Sequence, residues 1–237
     1  MTKRGKKYRA ALNNIKTNEM YSPRGAVELA KQNSVANFDE TLELHIRMGI
    51  DPRKADQQVR SSVLLPHGLG KPVRVLAFVE GEGARIAKQA GADFISDEET
   101  IQKIKEGWSD FDAAIAVPEM MGIVGSLGKI LGPRGLMPNQ KAGTVAPTED
   151  LPRLINEAKA GKIEFRLDKT ANLHAAIGKV SFSADNLFDN LMTLLDAVRR
   201  AKPPAAKGNY FRRITLTTTM GPGIRVDPNL VEAEILA

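Results

Sequence analysis

From Thr41 to Ile50 apolar and polar residues alternate one for one. Leu42, Leu44, Ile46, Met48 and Ile50 share one side, and Thr41, Glu43, His45 and Arg47 share the other. A period of two predicts a β-strand with one buried and one wet face. Val59, Ser61, Val63 and Leu65 repeat the alternation beyond Asp51-Pro52, so an antiparallel partner to the first strand is expected there. Upstream, Ser22 followed by Pro23 is a helix start, with Val27, Leu29 and Ala30 beginning an apolar face of about three turns.

The pattern changes after Gly68-Leu69-Gly70-Lys71-Pro72. Val73–Val79 and Ala113–Val117 are short apolar runs without polar alternation, as in strands covered on both faces. Helical stretches at Ala84–Ala90, Asp97–Glu106 and Met121–Leu131 alternate with them, which predicts a small parallel α/β unit. A helix opening at Thr148 and Pro152 runs through Ala158. Half-wet alternation then returns at Lys162–Leu167, with a turn at Asp168-Lys169-Thr170. Ser183 caps an amphipathic helix carrying Leu187, Leu191, Leu194, Leu195 and Val198, closed by Arg199, Arg200, Lys202 and Pro203-Pro204. Ile214, Leu216 and Met220 mark one more strand.

The expected class is α/β. An α+β split domain with a mixed or antiparallel sheet is built from residues 1–67 and 160–237, and a three-layer Rossmann-like domain, 68–159, is inserted in it. Charge supports this division. Residues 1–67 carry 12 basic against 7 acidic side chains, 68–159 carry 11 against 13, and 160–237 carry 11 against 8. The whole chain is +6 with a pI near 9.5, which suits a polyanionic partner. At 237 residues there is room for two cores, and no apolar run reaches the roughly 20 residues of a membrane span. The chain contains no cysteine, which excludes disulfides and thiolate metal sites. The basic start, Met1–Arg9, reads as an arm rather than a secretion signal.

Catalytic and cofactor motifs fail on inspection. Gly81-Glu82-Gly83 follows a strand, but the third glycine of a dinucleotide loop is replaced by Ile86. Gly128-Lys129 has Ile123 five residues before the glycine and Ile130 after the lysine, against a phosphate loop. His45, His67 and His174 lack the spacing of zinc ligands. No cofactor, metal or enzymatic activity is therefore expected. Leu131–Thr144, rich in turn-formers and carrying Arg134 and Lys141, reads as a structured surface loop, or as backbone that closely approaches another chain. Thr217–Gly223 reads first as a strand entering a turn, and second as hydroxyls and glycines able to meet phosphate or ribose 2′-OH. Phe38 is equally a core residue at a strand entrance or a ring for stacking.

Phe38-Asp39-Glu40-Thr41, Gly49–Lys54, Leu65-Pro66-His67-Gly68, Leu131–Thr144 and Thr217–Pro222, in this order, resemble the family of large-subunit ribosomal protein one, the bacterial mobile-stalk protein. The resemblance spans essentially the whole chain. It implies a split RNA-binding domain, a Rossmann-like insert and a two-strand hinge. It implies RNA contacts at Phe38, Thr41, Lys169, Thr170, Thr219, Met220 and Gly221. Thr217 belongs to the same motif, and Arg166 and His174 are added by proximity.

The implied partner is a hairpin-and-junction region of large-subunit ribosomal RNA. The implied role is stalk movement and release of deacylated exit-site tRNA, without covalent chemistry. Repression through the protein's own messenger leader, a cytoplasmic ribosomal location and a monomeric free state are further implications. Asn37 stands where the family commonly has lysine, and Gln58 and Ser61 replace a frequent Asn and Gly. The lost cation is expected to weaken phosphate attraction without altering shape recognition.

Overall fold

The computed structural model describes residues 5–16 and 19–236. Along the chain the elements are α1 (Lys6–Asn13), α2 (Pro23–Gln32), β1 (Thr41–Met48), β2 (Arg60–Leu64), β3 (Val75–Phe78), α3 (Glu82–Gln89), β4 (Phe94–Ile95), α4 (Glu98–Lys105), β5 (Ala113–Ala116), α5 (Met121–Ser126), α6 (Gly128–Arg134), α7 (Leu151–Ala160), β6 (Lys162–Arg166), β7 (Asn172–Lys179), α8 (Ala184–Arg200), β8 (Phe211–Thr218), β9 (Ile224–Val226) and α9 (Pro228–Leu236). The fold is α/β. Its contacts divide into two compact units, one formed by residues up to Gly70 with those from Ile163 onward, the other by Lys71–Lys162.

The first unit is built on an antiparallel sheet of order β7-β1-β8-β9. Leu42, Leu44, Ile46 and Met48 of β1, Leu173 and Ile177 of β7, and Ile214 and Leu216 of β8 are all buried in one core. Against this face lies the leucine stripe of α8, with Leu187, Leu191, Leu194, Leu195 and Val198 fully buried. Their spacing of three and four residues makes a single helical face. Ser183 caps α8 by accepting from the Asn186 N–H at 3.1 Å, and Ser22 caps α2 by accepting from that of Gly25 at 3.2 Å. One polar residue interrupts the stripe. Asn190 is fully buried and satisfied on all sides, accepting from the His67 N–H and donating to the carbonyls of Gly68 and Ile177. It fastens the Leu65–Gly68 segment to α8 and β7.

Three expectations are corrected by the structure. β2 does not pair with β1, because β7 and β8 already occupy both edges of β1; it pairs with β6 in a separate two-stranded sheet, and Arg60 meets Glu164 across the pair at 2.5 Å. The chain is drawn off the main sheet at Gly49, whose N–H donates to Tyr210. A Cβ at Gly49 would lie 1.9 Å from the Asn209 carbonyl oxygen, so only glycine allows this approach. Met220 lies outside β8, which ends at Thr218, and its N–H turns to the Glu40 carboxylate. Within the basic start, α1 is a helix that buries Ala11, while Met1–Arg4 lie outside the described residues. The Met121–Leu131 stretch, rich in glycine, is two short helices, α5 and α6.

The second unit has a parallel sheet of order β4-β3-β5. All of Val75–Phe78 is buried, which accounts for the absence of polar alternation there. Asp97 caps α4 by accepting from the Thr100 N–H at 2.8 Å. Arg134, in the Leu131–Thr144 segment, spends its guanidinium on the Gly107 carbonyl at 3.1 Å and on the Ser109 hydroxyl. That cation is a structural tie of its own unit.

Candidate nucleic-acid interface

Glu40 stands at the entrance to β1, fully buried. One carboxylate oxygen accepts from the N–H groups of Val35 and Ala36, both at 2.8 Å, and from the Ser34 hydroxyl at 2.7 Å. The other accepts from the Met220 N–H at 2.8 Å. Burial alone would raise its pKa, but these donors outweigh it and hold the group at about 2 against an ordinary 4.5. One charged side chain thus joins the loop before β1 to the turn after β8.

A second latch lies alongside. The Thr41 N–H donates to the Thr219 hydroxyl oxygen at 3.0 Å, and the Thr41 hydroxyl accepts from Lys179 Nζ at 2.9 Å. The Thr217 hydroxyl bonds the Gly221 carbonyl at 3.2 Å. Beside them the buried Thr218 hydroxyl lies close enough to the Glu40 carboxylate to help lower its pKa, though it falls short of full hydrogen-bond geometry with any described residue. A Cβ on Gly221 would sit 2.3 Å from that hydroxyl oxygen, in a place with little room to yield. Gly221→Ala should therefore displace the turn and weaken RNA binding about tenfold, or 1.4 kcal/mol. Fluorescence anisotropy, with circular dichroism to confirm the fold, is the check.

These latches present two apolar side chains to solvent, Phe38 at 57% exposure and Met220 at 56%. Exposed large apolar groups on a rigid, hydrogen-bonded frame are a recognition feature rather than a packing one. Six of the expected contact residues, Phe38, Thr41, Thr217, Thr219, Met220 and Gly221, meet at this end of the sheet.

The other four do not join them. His174 is the third residue of β7, towards its Asn172 end on the open face and opposite His45, with their Nδ1 atoms 2.7 Å apart. Lys169 and Thr170 lie beyond the far end of β7, on a turn held by Asp168. That carboxylate accepts from the N–H groups of Thr170 and Asn172 and from the Thr170 hydroxyl. Burial alone would push its pKa up, but the donors together outweigh it and hold it at about 2. Eight residues of β7 separate the two ends by roughly 25 Å. Arg166 is exposed on β6, in the two-stranded sheet.

Sequence reasoning missed Glu40 as the organiser, although it lies within the quoted Phe38–Thr41 motif. It also missed the cations around Lys169: Arg47, Arg53, Lys54, Lys207 and Arg212 line with it a cleft of about 750 Å³. The signal available was Gly49–Lys54, quoted as a motif but not as a surface.

Hydroxyls, guanidiniums, lysines and two exposed apolar side chains, on the open face of one sheet and the loops and turns at its two ends, fit a protein of the nucleic-acid-binding class, in which cations hold phosphates and apolar or hydroxyl groups meet bases and riboses. A family model described as the Ribosomal protein L1p/L10e family matches residues 30–222, and the chain belongs to that family. It is accordingly a structural constituent of the large ribosomal subunit that binds ribosomal RNA, in a family of RNA-binding rather than enzymatic proteins. Among the described residues no helix is long and apolar enough to cross a membrane.

Proposed function

We propose that the RNA bound is the folded hairpin-and-junction region of the mobile stalk, and that the cluster of Phe38, Thr41, Thr217, Thr219, Met220 and Gly221 is the main recognition surface. The observation that carries this reading is the Glu40 latch. It spends a buried charge on holding two distant chain segments so that Phe38 and Met220 stay exposed. A pre-organised surface binds without the entropic cost of ordering loops. Lys169, Thr170, Arg166 and His174 extend the contact along and beside the same unit, supplying phosphate and 2′-OH contacts. On this reading the protein acts as a monomer, assists stalk movement and release of deacylated tRNA from the exit site, and represses translation when its messenger leader imitates the ribosomal target.

The test is binding of the purified protein to the stalk RNA fragment and to a scrambled RNA of equal length, across a salt series. Binding to the fragment is expected to stay much tighter than to the scrambled RNA at every salt concentration, while both weaken as counterions compete. Equal affinity for the two would reduce the surface to a generic cationic one. Adding the protein's own leader RNA as competitor tests the repressor role in the same assay.

A further inference from the structure

The middle of the open face carries a feature that recognition by the loop cluster does not use. His45 on β1 and His174 on β7 are directly opposed, their rings edge to face with centroids 4.9 Å apart and Nδ1 atoms 2.7 Å apart. At that separation one Nδ1 must carry a hydrogen and the other a lone pair. The neutral pair therefore has one proton too few to protonate both outer nitrogens, and a single added proton completes both. Those outer nitrogens face carboxylates. His45 Nε2 is 3.7 Å from Glu43, and His174 Nε2 is 3.8 Å from Asp168.

The surroundings are cationic. His45 and His174 line a pocket of about 500 Å³ with Arg47, Asn172, Arg212, Arg213 and Thr215. Regular alternation along β8 would send Arg212 and Arg213 to opposite faces. The register shift between Arg47 and Met48, where Met48 pairs with Phe211 and Arg47 with Arg213, leaves Arg212 as the extra residue of a bulge and turns both arginines outward. Among the described residues none of the three guanidiniums has a carboxylate partner. Three guanidiniums without a carboxylate partner, of which Arg47 donates to the Asn172 side-chain oxygen at 3.5 Å, converge with a hydroxyl and an imidazole pair on one hollow, and an anion is the ligand they suit.

We propose that this hollow is a phosphodiester site in which the His45–His174 pair takes up a proton as RNA binds. The inference rests on the RNA-binding reading above and adds a pH-linked contact to it. In the free protein burial, and next the neighbouring His174, lower the pKa of His45, with Glu43 opposing them. An incoming phosphodiester reverses the local sign of charge, so the pair binds a proton more tightly in the complex than in the free protein. By linkage, binding then strengthens as pH falls.

The experiment is titration of the stalk RNA fragment into the full chain at constant ionic strength from pH 8 to pH 5.5, for wild type and for the His45→Gln/His174→Gln variant. Wild-type affinity is expected to rise by up to about tenfold per pH unit, the limit for one proton, and the variant's profile to be flatter. Nitrogen-15 NMR titration of the wild-type imidazoles, which needs no substitution, should show the pair's titration moving to higher pH on RNA binding. Tight binding with equal pH slopes in both proteins, or imidazole titrations unmoved by RNA, would overturn the proton-linked site while leaving RNA recognition standing. Absence of binding at every pH would overturn both.

Discussion

Replacing Glu40 with alanine should destabilise the protein by about 3 kcal/mol at neutral pH. Two lines of reasoning reach this size. A carboxyl held at about 2 when folded and at an ordinary 4.5 when unfolded contributes about 1.4 kcal/mol for each pH unit between them. Independently, deletion strips the acceptor from Ser34, Val35, Ala36 and Met220, and a buried donor left without a partner costs on the order of 1 to 3 kcal/mol. Because the folded pKa is depressed, the stabilisation is fully present above pH 4.5 and disappears as pH falls towards 2. Urea unfolding at pH 7, 4.5, 3 and 2 checks this: the gap between wild type and variant should close across the acid range. A gap that persists at pH 2 would mean that lost packing, not the charge, accounts for the damage. RNA binding should fall with the latch, and Glu40→Gln, which keeps the volume but halves the acceptors, should lie between.

Met220→Asp should abolish most specific RNA binding, by about a hundredfold or more, while leaving the unfolding temperature within a degree or two of wild type. The side chain is more than half exposed and touches the fold chiefly through its backbone N–H, which aspartate retains. Surface changes of this kind alter stability by roughly 0.5 kcal/mol or less. Binding is another matter. The substitution removes an apolar contact and brings a negative charge towards phosphates, and two such losses of about 1.4 kcal/mol each make the hundredfold. Filter binding and thermal denaturation on the same preparation decide it. Undiminished affinity would remove the 219–221 turn from the interface. Thr219→Val is a less clean probe, because its hydroxyl accepts from the Thr41 backbone N–H and the variant weakens the frame as well as the contact.

The strands and helices were legible where one physical signal dominated. Alternation at Thr41–Met48, the leucine stripe of α8 and the apolar runs of β3 and β5 each appear at the positions their periodicity indicates, because burial on one face, one stripe or both faces leaves a distinct residue pattern. Pairing was less legible. The partner of β1 was sought in the next strand along the chain, yet β7 and β8, contributed by the distant second half, hold both its edges. A strand's periodicity reports which face is wet and says nothing of which edge meets which neighbour.

The candidate site divides in the same way. Phe38, Thr41, Thr219 and Met220 could be named from short motifs and a family resemblance, but not their mutual position. Glu40 stands out in the sequence only as part of the Phe38–Thr41 motif; its role depends on three donors from Ser34–Ala36 and a fourth from Met220, far along the chain. Arg212 and Arg213 were invisible as a pair, since alternation assigns consecutive residues to opposite faces and only the bulge overrides it. Sequence alone thus determined the class of fold, the basic character of its two ends, and the family. Tertiary structure decided which exposed groups share a surface, because hydrogen-bond partners, strand edges and charge neighbours are set by segments more than a hundred residues apart, and local pattern carries no record of them.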